Sequence, residues 1–246
     1  MNTKDVLGIP IFDGTIEDLI KIIIKEKPQE TRCVSFSGAH GLVEAEIDNS
    51  FKAVLKSFYL NLADGMPLVW VSKLKGAKKI TRSFGPFFFR ECMKRTSNYD
   101  IKHFFCGGQD GVAESLKKAA RVKFNNSNVI GTFTPPFKKV EEFDYEQIAK
   151  NINKHNPDVI WIGLSTPKQE KFALNLSTHV KASYIFSVGA AFDYFTNPNL
   201  KFAPRWMQRL GLEWFFRLLQ EPKRLFKRYV KIVPLFIIYN FKRMLK

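Results

Sequence analysis

Residues 157–171, P-D-V-I-W-I-G-L-S-T-P-K-Q-E-K, are written as a strand, a tight turn and the start of a helix. The unbroken β-branched and aromatic run Val159–Ile162 suits a strand buried on both faces, as in a parallel sheet. It ends in Gly163. Thr166 is placed to cap a helix and Pro167 suits its first position, followed by the helix formers Lys168, Gln169 and Glu170. Backbone N–H groups of such a turn face the carboxyl edge of the sheet and favour an anion such as phosphate. An ordinary strand-to-helix turn without a ligand satisfies this stretch equally well.

Five further runs repeat the pattern. Cys33–Ser37, Phe58–Asp64, His103–Cys106, Asn128–Phe133 and Tyr184–Gly189 read as strands, separated by helix-like stretches at Ala39–Phe51, Val112–Lys123, Tyr145–His155 and Lys168–Leu176. Strands alternating with helices imply an α/β fold: a Rossmann-like parallel sheet of about six strands, covered by helices. Before them come a short apolar lead, Val6–Phe12, an Asp13-Gly14 turn and a helix, Thr15–Glu26, capped by Thr15. The aromatic run Phe87–Phe89 after Gly85-Pro86 reads as a helix start packed into the core.

Open α/β sheets bind ligands at the carboxyl ends of their strands. That edge gathers Ser35, Ser37, Asp64, Gly107, Gly108, Gly163, Gln169 and Asp193. Asp64, followed by Gly65 and a helix-starting Met66-Pro67, is a carboxylate poised to act as a general base; an Asp-Gly turn is its plain structural reading. Gly107-Gly108 is a weak form of the dinucleotide fingerprint. The acidic residue that should bind ribose hydroxyls about 20 residues on is missing, which argues against a dehydrogenase. His40, His103, His155 and His179 have no ligand spacing and the three cysteines form no CxxC pair, so no metal site is expected. Asp144-Tyr145-Glu146 sits at a helix start and reads as capping. Serine and cysteine nucleophile signatures of hydrolases are absent.

The chain has 246 residues, is 45% hydrophobic, and carries a formal charge of +16, well beyond the magnitude of about 2–8 that solubility asks of a small domain. Most of that excess lies from Lys201 onward, where Glu213 and Glu221 alone oppose the cations. The same segment holds Trp206, Trp214, Phe215, Phe216, Phe226, Tyr229, Phe236, Tyr239 and Phe241. A basic, aromatic-rich amphipathic segment fits an anionic membrane surface. Nucleic acid is the competing anion, and its apolar content, notably Ile232–Ile238, is excessive for a phosphate-tracking helix. No spanning helix is expected, because the run is short and Pro234 interrupts it. The first residues lack a signal-peptide pattern, and Cys33, Cys92 and Cys106 read as reduced thiols. A body at 1–195 and a helical appendage at 196–246 are the expected domains.

Five stretches together resemble the WecG/TagA/CpsF glycosyltransferase family: Ala63–Trp70, Phe105–Gly108 with Thr134–Phe137, Gly163–Lys171, Val188–Asp193, and Gly211–Leu218 running into Glu221–Leu225. They cover nearly the whole chain in the family's order. The resemblance implies a metal-independent, inverting transferase without a cofactor. It would move a sugar such as N-acetylmannosamine from a UDP-sugar to an undecaprenyl-diphosphate-linked sugar, in bacterial surface polysaccharide or teichoic acid synthesis. Such an enzyme is cytoplasmic and peripheral on the inner face of the membrane. Asp64 matches the family's proposed base; Arg82, Gln169 and Asp193 match site residues, and Ser35 stands where Thr is more usual. Arg217, Arg224 and Arg228 match the appendage thought to close over the diphosphate. This sequence departs from the pattern near Ser37, where Asn is usual, at Phe87 in place of Asp, and at Phe202 in place of Arg. A non-catalytic membrane or nucleic-acid binding module and a nicotinamide enzyme are the competing expectations.

Overall fold

The computed structural model describes residues 1–245. Eight strands form one sheet: β1 (Thr3–Val6), β2 (Ile9–Phe12), β3 (Arg32–Ser37), β4 (Leu60–Ala63), β5 (His103–Gly107), β6 (Val129–Phe133), β7 (Val159–Gly163) and β8 (Tyr184–Ser187). Their order is β1-β2-β4-β3-β8-β7-β5-β6. All neighbours are parallel except β1 and β2.

The six expected strands are the parallel ones from β3 onward. The two extra strands come from the apolar lead, which folds as an edge hairpin. Leu7 and Gly8 both have positive φ, 53° and 75°, the backbone of a tight two-residue hairpin turn. The Asp5 carboxylate accepts from the Gly8 N–H at 3.1 Å and fixes that turn.

The described residues form twelve α-helices: α1 (Ile16–Lys25), α2 (Ala39–Ile47), α3 (Asn49–Ser57), α4 (Met66–Leu74), α5 (Gly85–Thr96), α6 (Val112–Phe124), α7 (Tyr145–Asn153), α8 (Lys168–Ser177), α9 (Ala191–Thr196), α10 (Arg205–Arg209), α11 (Glu213–Gln220) and α12 (Pro222–Met244). Helices α1, α5, α6 and α9 pack on one face. Helices α7 and α8 cover the other face at one end, and α2, α3, α4 and α12 cover it at the other. Burial on both faces explains why β7 is apolar throughout: Val159, Ile160, Trp161 and Ile162 are fully buried. Trp161 lies among Phe88, Phe89 and Phe186 at centroid distances of 5.6, 4.9 and 5.0 Å.

Two local readings change. The stretch 39–51 is not one helix: Asp48 breaks it, accepting from the N–H groups of Ser50 and Phe51 to start α3. Thr166 does not cap α8; its hydroxyl is drawn instead to the buried Glu170 carboxylate at 2.8 Å, and Pro167 occupies the capping position after a cis peptide bond.

The chain leaves β3 toward one face, through α2, and leaves β8 toward the other, through α9. Departures to opposite faces from neighbouring strands open a crevice at the carboxyl edge. The last helices meet this side of the molecule, where Glu213 of α11 pairs with Arg82. Helix α12 runs unbroken through Pro234 and presses Ile232 and Phe236 into the same core as Leu42, Val43 and Leu68. Arg243 ties its far end to Glu46 at 2.9 Å. No helix among the described residues is long and apolar enough to cross a membrane.

Candidate active site

Asp64 follows directly on β4, and its own N–H donates to the Ser37 carbonyl at 2.9 Å, so two adjacent strands fix its place. One carboxylate oxygen accepts from the Gly85 N–H at 2.8 Å. The Arg82 Nε donates to the Asp64 carbonyl at 3.1 Å. Burial pushes the Asp64 carboxyl above the ordinary aspartate range, against the opposing pull of Arg82, the Gly85 N–H and Arg217. A carboxylate of raised basicity at a sheet edge is suited to taking a proton from a hydroxyl.

Arg82 has a second partner. Its Nη1 forms an ion pair with Glu213, the first residue of α11, and both side chains are largely buried. Four residues on, Arg217 lies over the Tyr194 ring at 5.6 Å, with its Nε buried and unpartnered. Burial raises the Glu213 carboxyl, with the Arg82 charge opposing.

Arg217, Arg224 and Arg228 converge. Burial lowers the Arg228 pKa, and the charges of Arg224 and Arg217 lower it further. Glu221 pairs with Arg224 and, at 3.4 Å, with Arg217; Arg228 has no ion pair among the described residues. Asp193, at the start of α9, faces the same group: burial raises its pKa while Arg224 and Arg217 oppose. His40, beside the β3 end, is pushed down to about 4 by burial and by Arg228 and Lys231. Mutually repelling, incompletely paired guanidinium groups are chemically suited to a multiply charged anion.

Behind this edge lies a layer of neutral polar groups. Ser35 and Ser37 are buried, with hydroxyl oxygens 2.9 Å apart. The Gln169 amide is fully engaged: its oxygen accepts from the Gly189 N–H at 2.9 Å, and its nitrogen donates to Glu170 at 2.8 Å and Thr166 at 3.2 Å. Burial raises the Glu170 carboxyl. Gly107, at φ 131°, packs against β7, where an added side chain would meet the Gly163 carbonyl at 2.7 Å. The Gly108 N–H already donates to that carbonyl at 2.9 Å. A side chain at Gly163 would strike the Phe192 ring at 2.5 Å.

The structure therefore brings Asp64, Arg82, Arg217, Arg224, Arg228 and Asp193 to one side of the edge. Ser35, Ser37, Gln169 and the three glycines form its packed floor. The sequence does not assign Glu213, Tyr194, His40 or Glu170 to the site. The Glu213, Arg217, Glu221 spacing, one helical turn at each step, was the available signal for the first. Among the described residues, no group of three or more His, Cys, Asp or Glu could hold a metal ion.

Comparison with known proteins bears on this arrangement. A family model described as "Glycosyl transferase WecG/TagA/CpsF family" matches residues 4–246. The chain is 28% identical over 234 residues to a Bacillus subtilis (strain 168) protein named N-acetylglucosaminyldiphosphoundecaprenol N-acetyl-beta-D-mannosaminyltransferase; the match covers 94% of this chain and 89% of that one.

Proposed function

Because the chain belongs to the WecG/TagA/CpsF family and is a glycosyltransferase, we propose that it moves an N-acetylmannosamine-like sugar from a UDP-sugar to a polyprenyl-diphosphate-linked sugar, with inversion and without a metal. The observation that carries this reading is the position of Asp64, partly buried and of raised pKa, beneath the arginines of the appendage. The Asp64 carboxylate takes the proton of the acceptor hydroxyl, whose oxygen attacks the anomeric carbon. The bond from that carbon to the diphosphate oxygen breaks, and the nucleoside diphosphate leaves with the electron pair. Arg217, Arg224 and Arg228 receive the charge that develops on it. Fixed cations in a site shielded from water stabilise such charge without reorganising.

Support for a lipid-linked acceptor lies on α12. Leu225, Ile232 and Phe236 face inward, while Phe226, Val230, Val233, Ile237 and Phe241 are exposed. A helix already packed on its inner face thus carries a second apolar stripe outward, flanked by Lys223 and Lys227. Leu218, Leu219, Pro222 and Phe226 line an apolar groove of about 670 Å³ between α11 and α12. An anionic membrane matches that chemistry, and peripheral binding at the inner membrane face would bring the lipid-linked acceptor to the edge beside Asp64.

The test is the Asp64→Asn variant, assayed with UDP-N-acetylmannosamine and a synthetic N-acetylglucosaminyl-diphospho-lipid. General-base removal lowers turnover by about 10²–10⁴-fold. Near-normal turnover of a folded variant would remove Asp64 from the role, and a product with retained anomeric configuration would exclude the single displacement.

A further inference from the structure

Helix α11 lies beside the reacting edge, yet none of its residues is buried in the core. Its rotational setting therefore rests on no fully buried apolar side chain. Its other attachments are few and mostly polar: the Gln220 amide bonds both backbone groups of Lys201, at 2.7 and 3.1 Å, Trp214 touches Tyr229 edge-on at 5.9 Å, and Arg217 lies over the Tyr194 ring at 5.6 Å. The well-shielded charge contact to the sheet edge is Glu213 with Arg82, with side-chain exposures of 13% and 15%.

Three features make this pair more than an incidental ion pair. Glu213 stands in the first turn of α11, where a carboxylate suits the helix dipole. Arg217 follows four residues later, on the same side of the helix. The Arg82 guanidinium also holds the Asp64 carbonyl, so one side chain joins the backbone of the candidate base to the helix that carries Arg217. A shift of α11 about its axis would move Arg217 relative to Asp64 while leaving the sheet untouched.

We propose that Glu213 is a positioning residue: its ion pair with Arg82 docks α11 on the sheet edge and thereby sets Arg217 over Asp64. The inference rests on the reading of Asp64 and Arg217 given above, though the docking contact itself does not. Glu213 touches no reacting atom; it acts through Arg217.

The full chain is used in the test, as Glu213→Gln, Glu213→Asp, Arg217→Ala and the double Glu213→Gln, Arg217→Ala. Amide hydrogen exchange should quicken over residues 213–220 in Glu213→Gln, with β7 and β8 unchanged, because a locally detached helix opens without global unfolding. Turnover with the donor and lipid acceptor named above should fall by about tenfold to a hundredfold, as for a misplaced site group. Glu213→Asp, which keeps the charge, should recover part of both. The double variant should be no slower than Arg217→Ala alone, since residues acting as one unit are non-additive. Unchanged exchange over 213–220, or fully multiplicative losses in the double variant, would overturn the proposal. If the unaltered chain shows no sugar transfer, the reading of the site fails, and the exchange experiment still decides whether Glu213 docks α11.

Discussion

Trp161 and Trp214 show how differently the two halves of the candidate site are held. Trp161, in β7, is fully buried among three phenylalanines, and its indole N–H donates to His103 at 3.1 Å. Trp214, in α11, is 44% exposed and packs edge-on against Phe215 and Tyr229. The sheet body is set by close packing, which tolerates little displacement. Over the site, α11 buries no side chain fully and leans on the Glu213–Arg82 ion pair, which holds a position only while both partners are present. Asp64 belongs to the first region and Arg217 to the second, so their relative position depends on the seam between them.

The contrast is sharpest in stability. Trp161→Ala should cost about 3–5 kcal/mol, the range for removing a large aromatic from a core. Trp214→Ala should stay within about 1 kcal/mol, as expected of a half-exposed side chain away from the core. Urea unfolding midpoints measure both. Comparable losses would show that α11 is part of the packed core and would break the comparison.

Two histidines probe the same division by titration. His103 is pushed down to about 3 by burial alone, held neutral between Trp161 and Thr96. His40 is pushed down to about 4 by burial together with Arg228 and Lys231 of α12. Each folded pKa lies below the unfolded value of 6.5. Below that pH the unfolded chain takes up protons that the folded chain refuses, so stability is full above it and falls as pH drops toward the folded values. At pH 5 the loss from His103 is about 2 kcal/mol. Replacing Arg228 by Ala should let the His40 pKa rise part of the way from about 4, since burial and Lys231 still hold it down, and leave His103 unmoved, as read by proton NMR titration. An unmoved His40 would detach the appendage charges from the β3 end.

The body was legible because its signals are local. Continuous runs such as Val159–Ile162 can be buried on two faces only in a parallel sheet, and Gly163 and Asp64 mark where strands end. The edge hairpin was harder to see, since Leu7, which takes a positive φ, gives no turn signal. Gln169 was legible as a residue of the edge but not in its bonding: only the fold shows Glu170 and Gly189 engaging both ends of its amide. The seam was least legible. Arg82 and Glu213 are 131 positions apart, and sequence spacing carries no information about a contact made by a charged pair across that separation. Glu213 counted merely as one of two carboxylates opposing a basic tail.

The smallest effect compares one charge in two places. Lys227 is exposed on α12 beside the apolar groove, and Lys118 is exposed on α6 of the body. Neither forms an ion pair among the described residues. Replacing either by Gln removes one positive charge from the chain. If the appendage meets an anionic bilayer, Lys227→Gln loses about 1 kcal/mol of attraction, or about fivefold in partitioning to phosphatidylserine-containing vesicles. Lys118→Gln should change partitioning less, because α6 packs on the face of the sheet opposite α12 and attraction to a charged surface falls off within a Debye length. Raising the salt should shrink the Lys227 effect, while the apolar stripe of Phe226, Val230 and Ile237 maintains residual binding. Equal losses from the two substitutions would mean that overall charge, and not the appendage, governs association. No loss from either would mean that the outward stripe of α12 is covered by something other than an acidic membrane.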